Sequence, residues 1–152
     1  MKDFIVIGSR NGLFYKDVFP LVQEGIITLG YTHRNMGEPN LCFTEPNGSI
    51  KHLDNSACWI TNIPIDFNYI HPLTKTYTPE EYPRYDNYDA INVDSINKIP
   101  YDYDGVMGVP IGFLNKHNPK QFEIVGKIQH PIPTINGKNK YIRLLIRRKN
   151  EK

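Results

Sequence analysis

The run "FIVIG" at residues 4–8 constrains this chain more than any other stretch. It is continuously apolar, β-branched at Ile5, Val6 and Ile7, and leaves through a glycine. A strand with one wet face would alternate apolar and polar residues. A strand with no polar side asks for cover on both faces, as in a parallel sheet. The next residues, "RNGLFYKDVFPLVQEG", place Phe14, Val18, Leu21 and Val22 on one apolar helical face. Asn11 is the expected N-cap and Gly25 the expected stop. Pro20 lies inside and predicts a kink or a break into two short turns. "IITLGYT" (26–32) follows as a second strand, completing a right-handed βαβ unit over residues 1–32. No later stretch offers another strand–helix alternation, so the opening reads as the middle of a doubly wound sheet whose earlier strands are missing.

From residue 33 to 152 the pattern is β-rich and irregular. "NLCFTE" and "ACWITNI" are short strands separated by "PNGSIKHLDNS", where Asn47-Gly48 signals a turn. "TPEEY" has the capping-box form, with Thr78 at the cap, Pro79 first in the turn and Glu81 three residues on. Asn118-Pro119 repeats that arrangement. "VMGVPIGFL", "FEIVGKI" and "KYIRLLIRR" read as the last strands, with Asn136-Gly137 turning the chain before the final one. There is no internal repeat.

Composition narrows the classes. A chain of 152 residues, 39% hydrophobic and 22% charged, is long enough for a buried core and is not wholesale disordered. Twelve prolines and eleven glycines argue against a helical bundle. No stretch nears the roughly 20 apolar residues of a membrane span, and the apolar run at the N-terminus is too short for a signal peptide. Cys42 and Cys58 are the only cysteines and form no C-x-x-C, so reduced thiols in the cytoplasm are expected. The formal net charge of +2 hides an asymmetry. Glu80, Glu81, Asp86, Asp89, Asp94, Asp102 and Asp104 oppose only Arg84 and Lys98 between residues 79 and 104. From residue 138 on, Lys138, Lys140, Arg143, Arg147, Arg148, Lys149 and Lys152 oppose only Glu151. A basic end on a near-neutral chain suits either nucleic acid or a solvated terminal strand.

Local enzymatic signatures are missing: no G-x-S-x-G, no Walker lysine loop, no H-E-x-x-H and no G-x-G-x-x-G. The histidines at 33, 52, 71, 117 and 130 are scattered and read as loop residues. "DYDG" (102–105) lacks the glutamate that would close a calcium loop. "TNIP" (61–64) partly resembles the Asn-Pro-Pro-aromatic loop with which amino-methyltransferases grip a flipped base. It has neither the second proline nor the ring, and a strand ending at a proline explains it.

The stretch "YPRYDNYDAINVDSINKIPYDYDGVMGVPIGFLNKHNPKQFEIVG" closely resembles the C-terminal half of the EcoRI-type adenine-specific DNA methyltransferases of restriction–modification systems. The resemblance starts at "FIVIGSRNGLFYKDVFPLVQEG", runs through "ACWITN" and ends at "INGKNKYIRLLIRRK", nearly the whole chain. After "TN", where the family carries basic residues, this chain has "IPIDFNYIHP". The resemblance implies a single domain, 1–152, of α/β class. That domain is the downstream part of a Rossmann-like sheet dependent on S-adenosylmethionine, followed by a β-rich region facing DNA. It also implies that the catalytic loop and the main cofactor contacts lie upstream, so no residue of this chain is assigned a catalytic role. Double-stranded DNA is the implied partner, with a separate upstream methyltransferase half as a second. The competing readings are a non-catalytic DNA-binding or interaction module and a decayed remnant.

Five of the ten tyrosines fall in residues 82–110, outside any helical or strand periodicity. Tyr85, Asn87, Tyr88 and Asn92 can read base edges or bridge phosphates, or the run can lie over the sheet with its rings packed inward. Asn87 and Tyr88 are the candidates for DNA contact there. Arg34, Lys138, Lys140, Arg143 and Arg147 are the candidates for phosphate, the last two sharing one strand face by their even spacing.

Overall fold

The computed structural model describes residues 2–30, 42–52, 57–66 and 70–149. These form two compact units, Met1–Asp66 and Phe67–Lys152. The division falls at Asp66, whereas the sequence reading put a change of character at residue 32 inside one domain.

The first unit contains β1 (Ile5–Ser9), a 3₁₀ turn (Arg10–Phe14), α1 (Phe19–Gln23), β2 (Thr28–Leu29), β3 (Cys42–Thr44), β4 (Ile50–His52) and β5 (Ala57–Thr61). β3 and β4 form a hairpin about Gly48, whose φ of +83° suits a residue without Cβ. The three-stranded sheet has the order β1-β5-β2, with β5 antiparallel to both neighbours. β1 and β2 therefore run parallel to each other but do not touch. The βαβ unit expected over 1–32 is a split one, with β5 inserted in its gap.

β1 corrects a second expectation. Ile5, Val6 and Ile7 are 59%, 47% and 60% exposed. The strand pairs with β5 along one side, and no strand pairs with its other side among the described residues.

Local signals held better. Pro20 sits in the first turn of α1, after a break from the 3₁₀ turn. Gly25 ends the helix at φ +74°, and the Ile26 amide reaches back to the Leu21 carbonyl at 2.8 Å. The cap is Ser9 rather than Asn11: the Ser9 hydroxyl accepts from the Asn11 amide at 3.3 Å. Leu13, Phe14, Phe19, Val22, Leu29 and Cys58 are buried, with the Phe14 and Phe19 rings stacked at 5.9 Å.

The second unit contains β6 (Ile91–Asn92), a 3₁₀ turn (Ile96–Lys98), β7 (Met107–Val109), a second 3₁₀ turn (Ile111–Lys116), β8 (Phe122–Ile128), β9 (Thr134–Ile135), β10 (Lys138–Asn139) and β11 (Arg143–Arg148). Its sheet runs β6-β7-β11-β8, parallel at the first pair and antiparallel at the others. The capping signals at Thr78 and Asn118 make single turns, not helices. The Thr78 hydroxyl accepts from Glu81 N at 3.4 Å, and the Asn118 side chain from Lys120 N at 2.9 Å.

Register assigns the faces. Leu144 faces Val109 and Ile146 faces Met107 and Ile124, so all five lie on one side, with Phe122 following opposite Arg148. There they are buried with Phe113, whose ring meets Phe122 edge-on at 5.3 Å. Arg143, Leu145 and Arg147 occupy the opposite side with Gly108 and Ile128. A second apolar layer of Tyr85, Ala90, Ile128 and Ile135 covers that side, joined by Tyr88, Val106 and Leu145. Between Gly126 and Ile124 the register slips by one residue, leaving Val125 as a bulge. β8 thereby sends Ile128 into one layer and Ile124 and Phe122 into the other. No helix among the described residues is long and apolar enough to cross a membrane.

Candidate nucleic-acid interface

The tyrosine–aspartate run lies over the second layer, and its polar groups are spent on the fold. Gly108 is bare because the Tyr85 ring crosses it: a Cβ there would come within 2.4 Å of the Tyr85 hydroxyl. That hydroxyl donates to Asn92 Oδ1 at 2.7 Å. Burial pushes the phenol pKa up to about 12, against an opposing pull from the Arg143 charge, so it stays a donor. Asn92, 2% exposed, passes its amide hydrogen to Asp94 at 2.7 Å, and Arg143 Nε donates to the same Asn92 oxygen at 3.4 Å. Tyr82 donates to the Lys98 carbonyl at 2.7 Å. Arg84 pairs with Asp89, Asp102 accepts from the Tyr77 amide at 2.7 Å, and Asp104 holds Arg148 at 2.9 Å.

Three consecutive side chains then grip one outlying segment. The Asp86 carboxylate accepts from the amides of Asn136 and Gly137 at 3.1 and 2.9 Å. Both turn residues have positive φ, 50° and 73°, the form that joins the two-residue hairpin β9–β10. Chiefly the Gly137 amide, then that of Asn136, holds the Asp86 carboxyl below the usual range, outweighing the effect of burial. Asn87 donates to the Ile132 carbonyl at 2.8 Å and accepts from the Thr134 amide at 3.0 Å. The Tyr88 hydroxyl donates to the Pro131 carbonyl at 2.6 Å. Asn87 and Tyr88, proposed from sequence as DNA contacts, are placed where they position the backbone of residues 131–134.

The basic candidates separate. Lys138 is exposed, Lys140 half-buried and Arg147 exposed, 3.9 Å from Glu123 in a loose surface pair. Arg143 shares a face with Arg147, as its spacing requires, yet it is 8% exposed and committed to Asn92. Its guanidinium also lies 5.9 Å from the Tyr141 ring centroid. Arg34 lies outside the described residues. The sequence reading passed over Asp86 and Tyr141. Asp86 faces the Asn-Gly turn only through the fold, whereas Tyr141 carried a visible signal, an aromatic between Lys140 and Arg143 at a strand entrance.

Other motifs resolve into structure. In the first unit the Thr61 hydroxyl donates to the Phe4 carbonyl at 2.7 Å, Asn62 Oδ1 accepts from Phe4 N at 2.8 Å, and Asn62 Nδ2 donates to Lys2 O at 3.0 Å. The "TN" pair thus extends the β1–β5 ladder with side chains, and the Asn62 amide is engaged at both ends. His71 and His117 are turned inward, their pKa values lowered chiefly by burial. The Gln121 side chain meets the His71 backbone twice at 2.8 Å, and His117 Nε2 bonds the Phe122 carbonyl at 3.0 Å. Burial raises the Cys58 thiol pKa, so it packs as an apolar group. The Cys42 side chain lies outside the described residues. Among the described residues no cluster of His, Cys, Asp or Glu could hold a metal.

Comparison with known proteins gives this chain a family. The model of the family "Adenine-specific methyltransferase EcoRI" matches residues 1–149. The chain belongs to this family. It is 40% identical to the Type II methyltransferase M.EcoRI of Escherichia coli over 97% of its own length and 51% of the relative's. M.MgeORF184P of Mycoplasma genitalium is 31% identical and M.MpnI of Mycoplasma pneumoniae 29%, each over 97% of this chain and 57% of the relative. The chain therefore spans about half the length of the curated relatives it matches. No solved structure matches it significantly.

Proposed function

We propose that this chain is the DNA-facing C-terminal half of a site-specific adenine-N6 DNA methyltransferase of a restriction–modification system. It works in the cytoplasm with a catalytic half supplied upstream, in the same polypeptide or a second one. In this reading S-adenosylmethionine donates the methyl group to the adenine amine within residues of the upstream half. The observation that carries it is the bare side of β1. Three successive aliphatic side chains on an edge strand suit the interior of a larger Rossmann-like sheet, with a further strand along β1 and helices over it. The parallel pair β1 and β2 supports the same placement.

The test is methyl transfer from labelled S-adenosylmethionine to duplex DNA. The chain is assayed alone and with the upstream half of the Escherichia coli relative. Incorporation is expected only from the mixture. Turnover by the chain alone, or none from a mixture shown to associate, contradicts the reading.

A further inference from the structure

Tyr141 is the most exposed large apolar side chain among the described residues, at 79%. Its neighbours are unusual too. Ile142 is 39% exposed and Ile132 is 44% exposed. The β9–β10 pairing continues away from the Asn136-Gly137 turn through the Lys140 amide to the Pro133 carbonyl at 2.7 Å, which puts Tyr141 and Ile132 on the next rung, at the open end of the hairpin. An aromatic ring and two aliphatic side chains are therefore exposed within this one segment.

That segment is held by a run of side-chain hydrogen bonds. Asp86 fixes its turn, Asn87 bridges Ile132 and Thr134, and Tyr88 fixes Pro131. The Tyr85–Asn92–Arg143 network ends with the Arg143 cation 5.9 Å from the Tyr141 ring, the geometry of a cation–π contact. Lys138, Lys140 and Arg143 make the sequence beside it cationic, with no acid between residues 138 and 149, while Arg147 and Arg148 farther along β11 pair with Glu123 and Asp104. A partner protein with an apolar groove would satisfy the ring but not the charge, and a simple polyanion would satisfy the charge but not the ring. A base step with its phosphates satisfies both.

We propose that Tyr141 is a base-stacking residue, presented to duplex DNA by the 131–142 segment, and that Asp86, Asn87, Tyr88 and Arg143 are its positioning residues. The proposal rests on the reading of DNA as partner. In it the ring enters an opened or kinked base step while Lys138 and Lys140 meet the flanking phosphates, with Ile132 and Ile142 filling the space beside it.

The test uses the full chain. Fluorescence anisotropy of a labelled duplex measures binding for the unaltered chain, Y141F and Y141A, with heparin as an anion that has no bases. Y141F is expected to bind duplex like the unaltered chain and Y141A at least about tenfold more weakly, the size typical of removing one stacked base. All three are expected to bind heparin equally and to melt at the same temperature, since the ring is exposed. As a second readout, in a W59F background the fluorescence of Y141W is expected to fall with duplex and not with heparin. Duplex binding that Y141A leaves unchanged overturns this inference and spares the DNA reading. An equal loss for heparin makes the site a mere anion surface and also overturns it. No duplex binding by the unaltered chain overturns both.

Discussion

A methyl group added at Gly108 would press on the Tyr85 hydroxyl at 2.4 Å and on its ring at 2.8 Å. G108A is therefore expected to destabilise the second unit by about 1–3 kcal/mol, the range for overpacking a filled core. In a Y85A background the same change should cost much less, and urea unfolding of the four proteins in that cycle measures the coupling. Three groups in the second unit make stability depend on pH. Asp86 has its folded pKa lowered, so its grip is complete above the ordinary carboxylate range and is lost as pH falls through the folded value. Hydrogen exchange at Asn136 and Gly137 should accelerate there, and D86N should show fast exchange at every pH. His117 and His71 are also lowered, by burial. Their contribution is complete above the ordinary histidine pKa of about 6.5 and fades as pH drops toward the folded values. The urea midpoint should thus fall between pH 7.5 and 5.5, with a shallower fall in H117Q. Such details were only partly legible. Gly25 and the two Asn-Gly turns announced themselves because positive φ selects few residue types. The duty of Asp86 depended on a partner 50 positions away in the chain.

At the scale of elements, the stretch read as a strand over residues 122–128 is β8 to the residue, but its faces were not legible. Phe122, Ile124 and Ile128 are all even-numbered, yet the slip at Val125 turns Ile128 to the other layer. A bulge leaves no mark in hydrophobic period when the inserted residue is itself apolar. Deleting Val125 leaves Ile128 and Ile124 three positions apart, so a regular ladder keeps each in its layer. That deletion is expected to retain cooperative unfolding by near-ultraviolet dichroism, whereas deleting Val125 and Gly126 together, which puts the two side chains on one face, is expected to lose it. β1 taught the opposite lesson. Its pattern was read as that of a strand covered on both faces, and the described residues leave it at an edge with Ile5, Val6 and Ile7 exposed. Placing Thr at Ile5 and Lys at Ile7 should reduce self-association of the chain in light scattering, and should abolish any association with an upstream half.

For the whole molecule, the charge asymmetry is the property that acts at a distance. If Lys138, Lys140 and Arg147 meet phosphates, alanine at all three should flatten the dependence of log affinity on log salt by about 0.9 for each phosphate no longer neutralised. Arg143 is left out of that set because its burial with Asn92 makes R143A a stability change first. The resemblance of the sequence to its family was legible throughout, carried by a string whose oddity now has a cause: Tyr82, Tyr85, Asp86 and Tyr88 each tie down a different part of the second unit. The order of strands in the first unit has one more consequence. β5 is the middle strand of its sheet and the last of the three to be synthesised, so neither β1 nor β2 has a neighbour until Thr61 has cleared the ribosome. During that interval the nascent chain carries its stickiest residues bare, and holdase chaperones should be found bound to it at lengths short of that point.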